Sequence, residues 1–202
     1  IDDPIQPMGG LVSLFGSLAP KGAILKRSAA DPKLFETEGR AVVFSSLEDL
    51  SLRIDDPALE VEENDILILQ NAGPKSDAAM PEAGYLPIPK KLARAGVKDM
   101  VRISDARMSG TAYGTIVLHV TPEAAVGGPL AIVKNGDRIK ISVKNRSLDL
   151  LISEEEMQNR LKKLHIKSPP KYHRGYKKLY YDTVLQADGG CDFDFLRDPS
   201  LL

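Results

Sequence analysis

Short apolar runs, each four to six residues long and bounded by glycine, proline or polar residues, recur through this chain and constrain its fold more than any other feature. They are Ala41-Val42-Val43-Phe44, Ile66-Leu67-Ile68-Leu69, Met100-Val101-Arg102-Ile103, Thr115-Ile116-Val117-Leu118-His119-Val120 and Leu130-Ala131-Ile132-Val133. Runs this brief fit buried strands better than helices with an apolar stripe. Arg138-Ile139-Lys140-Ile141-Ser142-Val143 alternates strictly and Leu148-Asp149-Leu150-Leu151-Ile152 nearly so. Between them Lys144-Asn145-Arg146-Ser147 reads as a polar hairpin loop, one face of the pair on the core and one in water. The expectation is a mixed β/α chain, mainly β.

Helices are fewer. Asp31 is placed to cap one with Pro32 at its first position and Gly39 as its stop. Ser153 followed by Glu156 forms a capping box that opens a helix over Glu154 to Leu164. A third candidate, from Pro87 to Gly96, is entered through proline and closed by glycine. Beyond Ser168-Pro169-Pro170 the composition shifts, with Tyr172, Tyr176, Tyr180, Tyr181, Phe193 and Phe195 close together. We read 1–165 as a β-rich domain with a few covering helices. We read 166–202 as an aromatic arm without a continuous period, less ordered than the core unless it packs on something.

With 202 residues and 43% hydrophobic content the chain is long enough to bury a core. Its 27 Lys+Arg against 28 Asp+Glu leave a net charge of -1, which supplies no attraction for nucleic acid or anionic membrane surfaces. No apolar run approaches the ~20 residues of a membrane span. The single Cys191 cannot form an internal disulfide or hold an iron-sulfur cluster alone, and a reducing compartment, cytoplasmic or organellar, is expected. The opening phrase Asp3-Pro4-Ile5-Gln6-Pro7 reads like the middle of a longer protein.

Three segments could carry chemistry. In Arg102 to Gly114 a short strand runs into small, hydroxylated, glycine-punctuated sequence. A serine there is placed to meet a substrate anion or act as nucleophile or base, and equally to cap the next element as part of a polar turn. There is no Gly-x-Ser-x-Gly elbow. The loop from Asn71 to Glu82 follows an apolar strand, and Asp77 or Glu82 could offer magnesium an oxygen ligand or simply be solvated. In the third, Leu118 to Leu130, His119 reads as a hydrogen-bonded strand histidine and Gly127-Gly128-Pro129 as a tight bend. His165 and His173 read as solvated.

The run Ser104-Asp105-Ala106-Arg107-Met108-Ser109-Gly110-Thr111, followed by Leu118-His119, Pro122-Glu123-Ala124, Gly127-Gly128-Pro129-Leu130 and Gly136-Asp137, closely resembles the C-terminal domain of the dihydroxy-acid dehydratase and 6-phosphogluconate dehydratase family. Gly9-Gly10-Leu11, Leu18-Ala19-Pro20, Gly22-Ala23, Gly73-Pro74-Lys75 and Met80-Pro81-Glu82 extend the likeness over essentially the whole chain. Ser-Asp-Ala-Arg-Met-Ser-Gly-Thr is similar to the sugar-acid (aldonate, pentonate) branch, where branched-chain enzymes usually show Thr-Asp-Gly-Arg-Phe-Ser-Gly. The tail, including Arg174-Gly175-Tyr176 and Gly190-Cys191-Asp192-Phe193, resembles the same branch. Lys21 and Ser76-Asp77-Ala78-Ala79 depart from the family's usual wording.

The resemblance implies a swivelling β/β/α barrel-like domain similar to the C-terminal domain of aconitase. It also implies a dehydration of a 2,3-dihydroxy carboxylate, sugar acid or branched-chain dihydroxy acid, to a 2-keto acid. By position Ser109 matches the family's serine base and Glu82 its metal-binding glutamate, with Arg107 and Thr111 as substrate contacts. The iron-sulfur cluster would be held by an N-terminal domain outside this chain, and magnesium would complete the site. The arm over 166–202 would then pack on that domain or on a dimer partner in a homo-oligomeric enzyme, and this chain alone would be inactive. Two other readings stand beside it: a degenerate domain that binds a ligand or partner without catalysis, and a separate small subunit completing a site with a large one.

Overall fold

The computed structural model describes residues 2–3, 8–82, 86–166 and 172–197. Eight strands form one sheet: β1 (Val12–Leu14), β2 (Gly22–Leu25), β3 (Glu36–Phe44), β4 (Ile66–Leu69), β5 (Arg102–Ser104), β6 (Ile116–Thr121), β7 (Arg138–Ser142) and β8 (Ser147–Leu150). Their order is β1-β2-β6-β5-β4-β3-β7-β8. The middle four, β3 to β6, run parallel, with Ala41–Phe44 aligned on Ile66–Leu69 and Leu67–Leu69 on Arg102–Ser104. Antiparallel strands flank them, β2 and β1 beyond β6, β7 and β8 beyond β3.

The two edges meet. Phe15, just past β1, donates its amide to Arg146 O at 2.9 Å and accepts from the Leu148 amide at 2.9 Å. The sheet is thereby a nearly closed barrel, which removes two aggregation-prone edges. Its interior takes side chains from all eight strands, among them Leu14, Leu25, Ile66, Ile68, Ile103, Val117, Ile139 and Leu148. Residues pointing the other way from the parallel strands, such as Phe44, Leu67, Leu69 and Leu118, meet Leu50 and Ile54. Leu50 belongs to α1 (Leu47–Arg53), which lies on the β3–β4 crossover. Both faces of β4 are therefore buried, and this is why Ile66-Leu67-Ile68-Leu69 is apolar without alternation. β7 alternates because one of its faces meets water.

The strand expected over 66–69 forms as read, those around 41–44, 115–120 and 138–143 form with shifted ends, and that at 100–103 moves to 102–104. Ser153 caps α3 (Glu154–Lys163), its hydroxyl accepting from the Glu156 amide at 3.2 Å. The helix expected from Pro87 to Gly96 shrinks to α2 (Lys90–Arg94), starting after the second proline. Two expectations fail. Leu130-Ala131-Ile132-Val133 is not a strand: Pro129–Ile132 is a 3-10 turn whose Pro129, Leu130 and Ile132 are buried. A four-residue apolar run reads alike in either form. Asp31 does cap, accepting from the Lys33 amide at 3.0 Å, but only one 3-10 turn follows, Pro32–Leu34. Gly39 lies inside β3, where a Cβ would come within 2.5 Å of Asn64 O, so it serves close approach rather than a helix stop.

The aromatic segment is also more regular than its sequence suggests. Gly175–Thr183 is a helix, α4, although Ser168-Pro169-Pro170 itself lies outside the described residues. Tyr181 Oη donates to Ser76 O at 3.0 Å and Lys75 Nζ donates to Tyr181 O at 2.5 Å, seating α4 on the loop after β4. Tyr180 and Phe193 pack edge to face, while Tyr176 and Phe195 remain exposed. Among the described residues no helix is long and apolar enough to cross a membrane.

Candidate active site

Because β4, β5 and β6 are parallel, the loops that leave their C-terminal ends emerge together: 70–82, 105–115 and 122–128. Such ends are where open α/β sheets bind ligands. Asp105, 1% exposed, ties the three loops, its carboxylate accepting from the Ala72 and Ala124 amides at 2.8 Å each. Burial pushes its carboxyl up to about 6. Glu123, equally buried, accepts from the Lys75 amide at 2.8 Å and from Gln186 Nε2 at 2.6 Å. Burial and, more weakly, the charge of Asp105 push it up to about 7. Sequence reasoning left both carboxyls without a role, since nothing in Pro122-Glu123-Ala124 reveals that the glutamate points inward.

The four expected site residues fall into two pairs. Glu82 and Arg107 are bridged by backbone, the Arg107 amide donating to Pro81 O at 3.1 Å. Ser109 and Thr111 touch through their hydroxyls at 2.9 Å, and the Thr111 amide donates to Ser109 Oγ at 3.1 Å. Ser109 lines an open cleft of about 500 Å³. Glu82, Arg107 and Thr111 lie outside that lining. The cap reading of Ser109 is thus partly realised, since its oxygen does accept a local amide.

Two side chains that sequence reasoning did not assign to the site grip the serine turn. The Met108 amide donates to His119 Nε2 at 2.9 Å, and Lys26 Nζ donates to Gly110 O at 2.6 Å. Both His119 and Lys26 line the cleft beside Ser109. His119 is a hydrogen-bonded strand residue as read, and burial, with Arg107 nearby, holds its imidazole below the ordinary range. Accepting at Nε2 places the ring proton on Nδ1. The bend at Gly127-Gly128 is also as read: Gly127 has φ +85°, and a Cβ on Gly128 would lie 1.8 Å from Pro122 O.

The donors present do not suit a cluster or a self-contained metal centre. Cys191 is half-buried, donates to Met80 Sδ at 3.2 Å, and burial drives its thiol up to about 11, far from the thiolate that iron requires. Among the described residues no three His, Cys, Asp or Glu side chains are grouped to hold a metal ion. Glu82 can offer one carboxylate and no more.

Residues 1–191 match the family model described as dihydroxy-acid/6-phosphogluconate dehydratase C-terminal. The chain is 50% identical over 201 residues, 97% of its length, to L-arabonate dehydratase of Azospirillum brasilense. It is 50% identical over 200 residues, 98% of its length, to 6-deoxy-6-sulfo-D-gluconate dehydratase of Pseudomonas putida. Dihydroxy-acid dehydratase of Saccharolobus islandicus (strain L.S.2.15 / Lassen #1) is 42% identical over 190 residues, 94% of this chain. These alignments cover 34%, 34% and 33% of the relatives, so the chain spans about a third of their length. A serine turn lining a cleft beside β2 and β6 and a family match over almost every residue lead to one assignment: the chain belongs to the dihydroxy-acid/6-phosphogluconate dehydratase family, in its C-terminal part.

Proposed function

We propose that this chain is the C-terminal domain of a hydro-lyase that removes water from a 2,3-dihydroxy carboxylate, a sugar acid before a branched-chain dihydroxy acid, to give a 2-keto acid. The sugar-acid preference rests on the wording of the serine turn and on the 50% identity with relatives named for arabonate and sulfogluconate. The observation that carries the reaction is Ser109 itself, lining a cleft walled mainly by residues in and beside β1, β2 and β6, its hydroxyl held by Thr111 and its turn backed by Lys26.

The chemistry asks for a base at C2 and help for the hydroxide leaving C3. Ser109 would take the C2 proton as the C2–H electrons form the C2–C3 double bond and C3 loses hydroxide; the resulting enol becomes the keto acid. Arg107 and Thr111 would contact the substrate's carboxylate and hydroxyls, and Glu82 would give one oxygen to magnesium. In the family an iron-sulfur cluster acts on the leaving hydroxyl. The single thiol of this chain, Cys191, does not fit one, so the cluster would be held by an N-terminal domain.

The complete protein should convert L-arabonate, 6-deoxy-6-sulfo-D-gluconate or a branched 2,3-dihydroxy acid to keto acid, scored by trapping the carbonyl, whereas the 202-residue chain should convert none. Absence of turnover on every acid by cluster-loaded complete protein would leave a ligand-binding domain as the better reading. Turnover by the chain alone would sink the division of labour between two domains.

A further inference from the structure

The Ser109 turn does not hold itself. Its one internal backbone bond is Ala112 N to Ser109 O at 3.1 Å, and among the described residues no backbone amide donates to Gly110 O. That carbonyl is met instead by Lys26 Nζ at 2.6 Å, which also reaches Ala112 O at 3.4 Å. Lys26 directly follows β2, and the next residues run along the serine loop: the Gly114 amide donates to Ala29 O at 2.9 Å and the Asp31 amide to Thr115 Oγ1 at 3.1 Å. On the opposite side the turn is held by His119 Nε2, the acceptor for the Met108 amide. Ser109 therefore sits between two tethers, one neutral and one cationic.

We infer that Lys26 is the positioning residue of this site, its ammonium seated on the carbonyls that follow Ser109 so as to fix the hydroxyl and favour its ionised form. The inference rests on the proposed role of Ser109 as base. A serine hydroxyl is almost wholly protonated at neutral pH, so a base of this type needs a nearby positive charge that is not already neutralised. Lys26 qualifies: both its hydrogen bonds go to neutral carbonyls, and among the described residues no carboxylate pairs with it. Lys21, which also lines the cleft, is paired with Asp188 at 3.5 Å. Lys26 is half-buried and lines the same cleft as Ser109, so its unpaired charge favours an anion forming there. Lys26 exchanges no proton in this role. The serine proton is lost to solvent before turnover, and the C2 proton later arrives on the serine oxygen.

The test uses the complete, cluster-loaded enzyme and compares kcat and KM across pH for wild type, Lys26→Gln, Lys26→Met, Lys26→Arg and Ser109→Ala. Lys26→Gln removes the charge and keeps a hydrogen-bond donor on a side chain one atom shorter. It should lower kcat about tenfold near neutrality, move the low-pH limb of the kcat profile up by about one unit, and leave KM within about twofold. Lys26→Met removes tether and charge and should cost about a hundredfold, while Lys26→Arg should return the limb towards its wild-type position. A wild-type limb in Lys26→Gln would overturn the inference, as would a tenfold rise in KM with kcat unchanged, the mark of a substrate contact. Should Lys26→Met fail to fold, Lys26→Gln alone decides. Inactive Ser109→Ala beside wild-type-like Lys26 variants would reject the role of Lys26 and spare that of Ser109. Active Ser109→Ala would reject both.

Discussion

Glu123 and Gln186 are joined twice: Gln186 Nε2 donates to Glu123 Oε1 at 2.6 Å, and the Glu123 amide donates to Gln186 Oε1 at 3.0 Å. One side chain from the C-terminal segment thus pins both the backbone and the carboxyl of a residue just after β6. The same carboxyl holds the Lys75 amide, so the segment, the loop after β4 and the loop after β6 share one buried node. Gln186→Ala should free the node, leaving Glu123 with one fewer partner in a buried setting at a cost of about 1–3 kcal/mol. Amide exchange should accelerate in α4 and over 73–80 together. Faster exchange in α4 alone would mean the loop does not depend on the segment.

Stability should carry the signature of that node. Glu123 is raised from 4.5 to about 7 and Asp105 from 3.8 to about 6. Between the unfolded and folded values the native state binds the extra protons, so the contribution of each is full below its unfolded value and is lost as pH rises through the folded one. Glu123→Gln should therefore gain on wild type as pH goes from 5 to 8, by roughly 2–3 kcal/mol. Thermal melts of both proteins at the two pH values check this, and a difference that is constant with pH would show that Glu123 stays ionised throughout.

Gly73→Ala should be costly. A Cβ there would stand 2.1 Å from Glu123 Oε2 and 2.7 Å from Glu123 Cβ, and that carboxyl is not free to swing away. Overpacking of this kind typically costs ~1–3 kcal/mol. A melting temperature within a degree of wild type would mean the loop after β4 can back away.

Ser109→Ala and Ser153→Ala separate catalysis from capping. Ser153 is the N-cap of α3 and its loss should cost about 1 kcal/mol with turnover kept. Ser109→Ala in the complete enzyme should lower turnover by ~10²–10⁴ or more with a smaller change in stability. Ser104→Ala, in the same segment, would not separate the two effects, because Ser104 is fully buried and its hydroxyl accepts from the Ala106 amide.

The isolated chain should bind magnesium weakly. Glu82 is one carboxylate, and one cannot displace enough water from so tightly hydrated an ion. Calorimetry is expected to register no micromolar site, and finding one would mean that a complete ligand set lies within these residues.

What was legible in the sequence was whatever depends on neighbours along the chain. The period of Arg138 to Ser142 gave its strand, Ser153 and Glu156 announced α3, and the serine motif with its flanking glycines pointed to the family. The rest depends on residues far apart. Pro129 to Ile132 coils rather than extends because its apolar side chains plug the core, which a four-residue run cannot encode. β1 and β2 went unread because Val12–Leu14 and Gly22–Leu25 are too short to show a period and are strands only through pairing and closure. Parallel strands bring the amides of residues 72 and 124 within reach of the Asp105 carboxylate. Lys26, 84 residues from the carbonyl it tethers, became part of the serine site only through the barrel, since sheet pairing, not local sequence, decides which loops share an edge.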